Sequence, residues 1–302
     1  MPCDAKTQML NAYKAGTVIP SFNIPYLPMM EAVVRALQET QCFGQIAVAR
    51  PDWEKFRAKS LRAVYEQYQE VKDERFTGLH LDHVPVIDED QQHVDYLSII
   101  KEAVELGYGS VMVDASRLSL EGNIAAAKSV VEIAHARGVA VEAELGAVLG
   151  HEDGPMPSYE ELFTSGMGFT EPAEAKRYVE ESGVDWLSVA VGSVHGALSE
   201  TKRHEKKVDA RLNIERIQEI RKVIDRPMVL HGGSGIQKAY LLDAFKNGVA
   251  KLNIGTAIRQ AYEKGAETSE KQGQEAVYQT TISLIKDELE IEGSAKVINP
   301  DV

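Results

Sequence analysis

Short apolar runs alternate with longer amphipathic segments along most of the chain. Eight runs have the length and apolar content of buried strands, at 18–24, 45–49, 77–82, 110–114, 139–145, 185–191, 227–232 and 249–254. The segments between them have helical spacing, over 27–40, 52–71, 94–106, 120–137, 172–182, 212–223 and 236–247. Glycine follows several of these helices, where a left-handed residue commonly ends a helix, at Gly107, Gly138, Gly183 and Gly248.

A strand followed by a helix, repeated eight times, is typical of an α/β fold with a parallel sheet. Eight such units predict a closed (β/α)8 TIM barrel, which usually needs about 250 residues. An open doubly wound sheet is the alternative. We expect one domain over 1–302, with the barrel at about 15–265 and a helical tail at 266–302. The long connections 146–170 and 192–210 are predicted to be lids or binding loops.

Composition and charge narrow the function classes. Hydrophobic residues make up 44% and charged residues 26% of the chain, as in soluble globular proteins. The 33 Lys and Arg against 46 Asp and Glu give a formal charge of −13 without a basic tract, so nucleic-acid binding is not expected. Two cysteines are too few for a disulfide framework. No run reaches the ~20 apolar residues of a membrane helix, and MPCDAKTQML lacks a signal-peptide pattern. We expect a cytoplasmic protein.

Polar side chains are concentrated where the predicted strands end, and a barrel brings all its strand ends to one mouth. Three of them are histidines on different strands, namely His83, His195 and His231. Each alone could be an ordinary hydrogen-bonded or exposed residue. Three at equivalent positions favour an open Zn²⁺ site, in which substrate oxygens complete the coordination. The other polar residues expected at this mouth are Ser21, Asn23, His80, Asp82, Asp114, Ser116, Glu142, Glu144 and Asn253.

The segment HGGSG, at 231–235, joins the seventh predicted strand to a helix. Glycines let the backbone approach a phosphate, and the N–H groups at a helix start attract its charge. Such a run is by itself more often a turn. Its place after the seventh barrel strand favours a phosphate site, to which Gly196, Asn253 and Thr256 would contribute.

Three further groups could move protons or form covalent bonds. Asp82 could exchange a proton with a substrate hydroxyl or orient a histidine ligand. Glu152, in the first long loop, could be a mobile acid/base or part of a solvated charge cluster, and the neighbouring His151 has no assigned role. Lys251 is the lysine that a Schiff-base mechanism would use, although its early place in the eighth strand favours a structural role.

Eight motifs occur in the same order along this chain as in one known protein family. They are SFNIP (21–25), HLDH (80–83), SVMVDAS (110–116), VEAELG (141–146), GHEDG (150–154), VGSVHG (191–196), VLHGGSG (229–235) and KLNIGT (251–256). The chain resembles the class II, zinc-dependent ketose-bisphosphate aldolases, which include the fructose- and tagatose-bisphosphate aldolases. The resemblance implies a TIM-barrel lyase of carbohydrate metabolism, as in glycolysis. Such an enzyme cleaves a phosphorylated ketose to dihydroxyacetone phosphate and an aldehyde, as a homodimer or homotetramer.

The resemblance also implies roles at the metal and at the breaking bond. It places Zn²⁺ on His83, His195 and His231. Asp82 matches the catalytic acid/base. Glu152 matches the loop glutamate that moves a proton on the dihydroxyacetone phosphate carbon.

The remaining matched residues surround these groups. Asp114 and Glu144 match residues at an alternative metal position or behind the ligands. Arg259 matches a basic residue that reaches the distal phosphate in the partner subunit. The candidate substrate and phosphate site, where Na⁺ or K⁺ often helps, comprises Asn23, Gly196, Gly232, Gly233, Ser234, Asn253, Gly255 and Thr256.

Three departures from the family pattern bear on the substrate. Gly255 stands where fructose-specific members have Asp, and Ala257 lacks the acid found there in those enzymes. The segments 50–78 and 84–95 do not follow the usual pattern, so an unusual pocket is expected near the second and third strands. The alternative functions are an aldolase for a different ketose phosphate and a non-catalytic barrel subunit that stabilises a partner aldolase.

Overall fold

The computed structural model describes residues 3–146, 159–193, 210–233 and 235–300. Its strands form a closed parallel barrel in chain order, in which each strand pairs with the next and the last pairs with the first. The strands are β1 Ile19–Asn23, β2 Gly44–Ala49, β3 Thr77–Pro85, β4 Ser110–Asp114, β5 Ala140–Leu145, β6 Trp186–Val189, β7 Met228–Leu230 and β8 Val249–Ile254. The predicted (β/α)8 barrel is confirmed, and the open sheet is excluded.

Helices cover the outside of this barrel and form the carboxyl-terminal region. They are α1 Ala5–Ala15, α2 Met29–Glu39, α3 Arg50–Glu54, α4 Leu61–Val71, α5 Tyr96–Leu106, α6 Leu120–His135, α7 Tyr159–Ser165, α8 Pro172–Ser182, α9 Ile214–Val223, α10 Lys238–Lys246, α11 Thr256–Ala266, α12 Glu270–Ser283 and α13 Ala295–Ile298. A π-helical turn, Leu284–Glu288, extends α12. Among the described residues, every helix is too short or too polar to cross a lipid bilayer.

Local sequence explains where these helices begin and end. Ser119 begins α6 because its side chain accepts a hydrogen bond from the backbone N–H of Gly122, which satisfies a donor that a helix start leaves open. Asn213 caps α9 in the same way, through the N–H of Arg216. Gly183 ends α8 in the left-handed conformation, with φ 77°.

Two of the predicted elements differ from the structure, and one helix was not predicted. The helix expected over 52–71 is two helices, because Lys59 takes a left-handed conformation (φ 69°) and Ser60 then starts α4 by capping Ala63 N–H. The predicted loop 146–170 contains α7. Helix α1, which was not predicted, packs against β8 and α13.

The helices after β8 pack closely on each other. Helices α11 and α12 meet at two glycines, Gly265 and Gly273, and a Cβ atom on Gly265 would lie only 2.6 Å from the carbonyl oxygen of Gln272. This close approach lets α12 also reach α2 on the barrel.

Candidate metal and active site

The third strand bends where it delivers two functional side chains. Its pairing with β4 shifts register between Leu81 and Val84, and the backbone of His83 is left-handed, with φ 42°. Such a conformation costs a non-glycine residue about 1–3 kcal/mol and is often found at functional sites. Because the alternation of side chains is interrupted, both neighbours reach the inside of the mouth. Asp82 contacts β1 and β8, while His83 contacts β4, β5 and the residue that follows β7, His231.

His83, Glu144 and His231 form a cluster that fits a metal ion. Two ring nitrogens and a carboxylate oxygen all lie within 4.8 Å of one another. The Nε2 atom of His83 is 3.8 Å from Oε2 of Glu144, and the two imidazole centroids are 5.0 Å apart. An ion with bonds of about 2.0–2.2 Å is accommodated between donors at this spacing. Two imidazoles and a carboxylate are a donor set that suits zinc.

Negative charge surrounds this cluster. Asp114 places Oδ2 3.5 Å from Nδ1 of His83. Burial raises the pKa of Glu144 well above its ordinary value, and the charges of Asp114 and Glu142 raise it further. Burial lowers the pKa of His83, which keeps its ring neutral as metal binding requires. A divalent cation would therefore relieve the repulsion among these carboxylates.

Asp82 is held by two amide side chains. The Nδ2 atom of Asn253 donates to Oδ1 of Asp82 at 2.7 Å, and that of Asn23 donates to Oδ2 at 2.9 Å. Burial acts against ionisation, but the neighbouring His80 ring and the charge of Lys251 outweigh it and hold the pKa of Asp82 well below its usual range. The mouth thus contains an ionised carboxylate in a fixed orientation.

A layer of buried charged and polar side chains lies two residues closer to the amino ends of the strands than the residues of the mouth do. We call His80, Glu142 and Lys251 the buried triad, and all three are fully buried. Oxygen Oε2 of Glu142 accepts from Nζ of Lys251 at 2.8 Å and from Nε1 of Trp186 at 2.7 Å, while Oε1 lies 2.9 Å from Nε2 of His231. Burial would raise the pKa of Glu142, but Lys251 and His231 outweigh it and lower the pKa to about 2.

The buried triad was only partly foreseen from the sequence. From the sequence, Glu142 had no role beyond a place on the fifth predicted strand. It lies two residues before Glu144, so the two side chains share one face of that strand. Lys251, two residues before Asn253, is engaged by Glu142 and has no exposed surface. That geometry argues against its use as a Schiff-base nucleophile.

The ends of β7 and β8 combine glycine backbone with the start of a helix. Gly232 is left-handed, with φ 71°, and a Cβ atom on Gly233 would lie 2.7 Å from the Leu252 side chain. Helix α11 starts at Thr256, directly after β8, with Gly255 as its N-cap and no side-chain hydrogen bond at the cap. Backbone N–H groups at such a helix start favour an anion.

Some buried polar atoms of the barrel lack a hydrogen-bond partner among the described residues, and two of them belong to segments at the strand ends. Oδ1 of Asn253 and Oγ of Ser193 are buried and have no hydrogen-bond partner among the described residues. Leaving such atoms unsatisfied costs about 1–3 kcal/mol each, which a bound ligand or water would remove. Ser193 was not singled out from the sequence. Its signal was its place two residues before His195 in the VGSVHG motif.

Arg259 is engaged within its own chain. Its Nη1 atom is 2.8 and 2.9 Å from the two carboxylate oxygens of Glu263, and its guanidinium lies 5.4 Å from the centre of the Phe56 ring. The Tyr26 hydroxyl donates to the same Glu263 carboxylate at 2.8 Å. Contact with a distal phosphate would require Arg259 to give up its ion pair with Glu263.

Four of the predicted site residues lie outside the described residues, namely Glu152, His195, Gly196 and Ser234. The predicted residues that the structure describes at the strand ends and the start of α11 are Asn23, Asp82, His83, Asp114, Glu144, His231, Gly232, Gly233, Asn253, Gly255, Thr256 and Arg259.

Comparisons with known proteins show which family the chain belongs to. The family model described as "Fructose-bisphosphate aldolase class-II" matches residues 4–295. The YdjI aldolase from Escherichia coli K12 is 26% identical, with a TM-score of 0.76, over 98% of this chain and 100% of that one. A putative fructose-1,6-biphosphate aldolase from Coccidioides immitis is 25% identical, with a TM-score of 0.76, over 97% and 98% of the two chains.

A third comparison concerns the fold alone. The fructose-bisphosphate aldolase from Campylobacter jejuni is 20% identical, with a TM-score of 0.73, over 94% of each chain. Because the family model covers nearly the whole sequence, the chain belongs to the class II fructose-bisphosphate aldolase family. It is therefore an enzyme of the lyase class, an aldolase, and its family is metal-dependent.

Proposed function

We propose that this protein catalyses the reversible, zinc-dependent aldol cleavage of a phosphorylated ketose of the fructose or tagatose 1,6-bisphosphate type. The products are dihydroxyacetone phosphate and an aldehyde. The observation that supports this most directly is the metal-sized cluster of His83, Glu144 and His231, with the ionised Asp82 fixed beside it.

His83 and His231 would hold the ion together with His195, and Glu144 and Asp114 would line an alternative position for it. When bound, Zn²⁺ supplies a Lewis acid that polarises the ketose carbonyl. Neutral imidazoles are required for this, and the burial that lowers the pKa of His83 provides one.

Proton movement is assigned to two carboxylates. Asp82 takes the proton of the C4 hydroxyl while the C3–C4 bond breaks, so that C4 becomes the aldehyde carbon and the bonding electron pair remains on the C3 side. Two amide donors, Asn23 and Asn253, hold the Asp82 carboxylate in place for this transfer. Glu152 would then return a proton to the C3 carbon, which completes dihydroxyacetone phosphate.

The phosphate of the dihydroxyacetone half would bind at the ends of β7 and β8. The backbone of Gly232 and Gly233 and the start of α11 at Thr256 would provide N–H donors. The unpartnered Oδ1 of Asn253 could accept a substrate hydroxyl or bind Na⁺ or K⁺. Gly196, Ser234 and Gly255 would complete this site. In a homodimer or homotetramer of cytoplasmic subunits, Arg259 would reach the distal phosphate.

The test is direct assay of cleavage and synthesis by the zinc-loaded protein. We expect dihydroxyacetone phosphate to be released from fructose or tagatose 1,6-bisphosphate, which a dehydrogenase-coupled assay measures. A panel of aldehydes with dihydroxyacetone phosphate, analysed by product stereochemistry, would define the preferred partner. The absence of both cleavage and condensation across the panel would contradict the proposal.

A further inference from the structure

The protons of the buried triad can be assigned from its contacts. Nζ of Lys251 is only a donor, so Nε2 of His80, 3.1 Å away, accepts from it. The proton of the neutral His80 ring is then on Nδ1, which donates to Oγ of Ser110 at 2.8 Å. Lys251 also lies 3.8 Å from the Asp82 carboxylate. Its ammonium thus occupies the space between His80, Asp82 and Glu142, where a cation would otherwise fit.

The same reasoning fixes the tautomer of His231. An ionised Glu142 only accepts hydrogen bonds, so Nε2 of His231 donates to its Oε1 atom at 2.9 Å. An imidazole that binds a metal is neutral, and one that donates through Nε2 carries its lone pair on Nδ1. The amide nitrogen of Asn253 lies 3.4 Å from Nδ1 of His231.

Stability alone gives a weak reason for these buried charges. A buried ion pair can often be replaced by apolar residues without loss of stability, because burying charges costs several kcal/mol per ion. Glu142 and Lys251 are both fully buried. Of the two, Glu142 contacts His231 directly, and a carboxylate behind a histidine ligand commonly sets its orientation and tautomer.

We propose that Glu142 and Lys251 are positioning residues of the metal centre, which fix His231 as the Nε2–H tautomer with Nδ1 presented to the ion. Lys251 and Trp186 engage Oε2 of Glu142, so the carboxylate presents Oε1 to His231 and does not turn toward the metal. The inference rests on the metal centre of the proposed function.

Glu142→Gln is the sharpest perturbation. Lys251 and Trp186 are both donors, so they hold the amide oxygen of the new side chain at the Oε2 position. The amide NH₂ group then faces Nε2 of His231 and forces the ring proton onto Nδ1. In metal-free protein labelled with ¹⁵N-histidine, we expect one ring to change tautomer. We expect the zinc Kd, measured by competition with a chelator, to rise about 10–100-fold.

Lys251→Met is a second test of the positioning role, and Ser110→Ala is the matched control. Lys251→Met frees the Glu142 carboxylate to turn, so we expect a weaker zinc Kd and altered d–d absorption of the Co²⁺-substituted protein. If Glu142→Gln does not fold, this variant provides the test. Ser110→Ala removes the far end of the hydrogen-bond chain, touches neither Glu142 nor His231, and is expected to keep the wild-type Kd within about twofold while lowering the melting temperature.

The possible outcomes separate this inference from the proposed function. A wild-type protein that binds no zinc would contradict the proposed function, whereas the tautomer in metal-free protein is measured independently of zinc. Wild-type Kd and unchanged tautomer in a folded Glu142→Gln variant would overturn the inference. So would a wild-type Kd and Co²⁺ spectrum in Lys251→Met, because the buried triad would then be only structural.

Discussion

Metal binding at this site should expel a proton from Glu144. In the metal-free protein, burial and the charges of Asp114 and Glu142 raise the pKa of Glu144 well above the ordinary value, which is about 4.3. A divalent cation beside the carboxylate reverses the local potential and favours the ionised form. His83 contributes no proton at neutral pH, because burial lowers its pKa and its ring is already neutral.

The number of protons released on zinc binding follows from the single carboxyl group of Glu144. Glu144 can release at most one proton per ion bound. While the pH is below the pKa of Glu144 in the metal-free protein, the zinc Kd should fall up to tenfold per pH unit, or about 1.4 kcal/mol. Above that pKa, the contribution of Glu144 to the pH dependence should disappear.

The raised pKa of Glu144 also determines how its contribution to the stability of the metal-free protein depends on pH. The folded state holds the Glu144 proton more tightly than the unfolded state does. The stabilising contribution of this proton is therefore complete below the unfolded pKa, about 4.3, and is lost as the pH rises through the folded pKa. Bound metal should remove this loss, because it favours the carboxylate.

Isothermal titration calorimetry measures the released proton. Zinc is titrated into metal-free protein at one pH in two buffers with different ionisation enthalpies, and the difference in apparent enthalpy gives the number of protons. Glu144→Gln is the matched control, and it should release fewer protons than the wild type by up to one. Equal proton release from the two proteins, at a pH where Kd still varies, would refute the reasoning.

Three further results are expected. Asp82→Ala should lower the cleavage rate by about 10²–10⁴ with unchanged zinc content by metal analysis; loss of zinc would instead make Asp82 a residue that orients a ligand. Arg259→Ala should raise KM for a bisphosphate but hardly for a substrate without the distal phosphate, and equal effects on both would remove Arg259 from that role. Borohydride with substrate should leave Lys251 unmodified by mass spectrometry, because its amine is buried against Glu142; a stable adduct would contradict this.

Much of the fold could be predicted from the alternation of apolar runs and helical segments. This pattern gave eight strands, all of which the structure contains, and β4 and β8 match to the residue. The break between α3 and α4 could not be predicted, since it depends on Lys59, a non-glycine residue in the left-handed region. Helix α7 was missed because it lies in a predicted loop rich in glycine and polar residues.

Part of the site could be predicted because parallel strands end together. Asp82 and His83, two neighbours that would normally point to opposite sides, both reach the mouth through the register shift in β3. The strand-end rule found these residues and His231. It could not find the contacts of Glu142 and Lys251, because they join strands that are distant in sequence and depend on the register of each barrel strand.

The central claim is that a metal ion at the barrel mouth is needed for aldol cleavage. The most direct test is to remove metal exhaustively with a chelator, assay ketose bisphosphate cleavage, and then add zinc back in equimolar steps. We predict that activity disappears with the metal and returns in proportion to bound zinc, up to one ion per chain. Full activity after complete removal of metal would contradict the account.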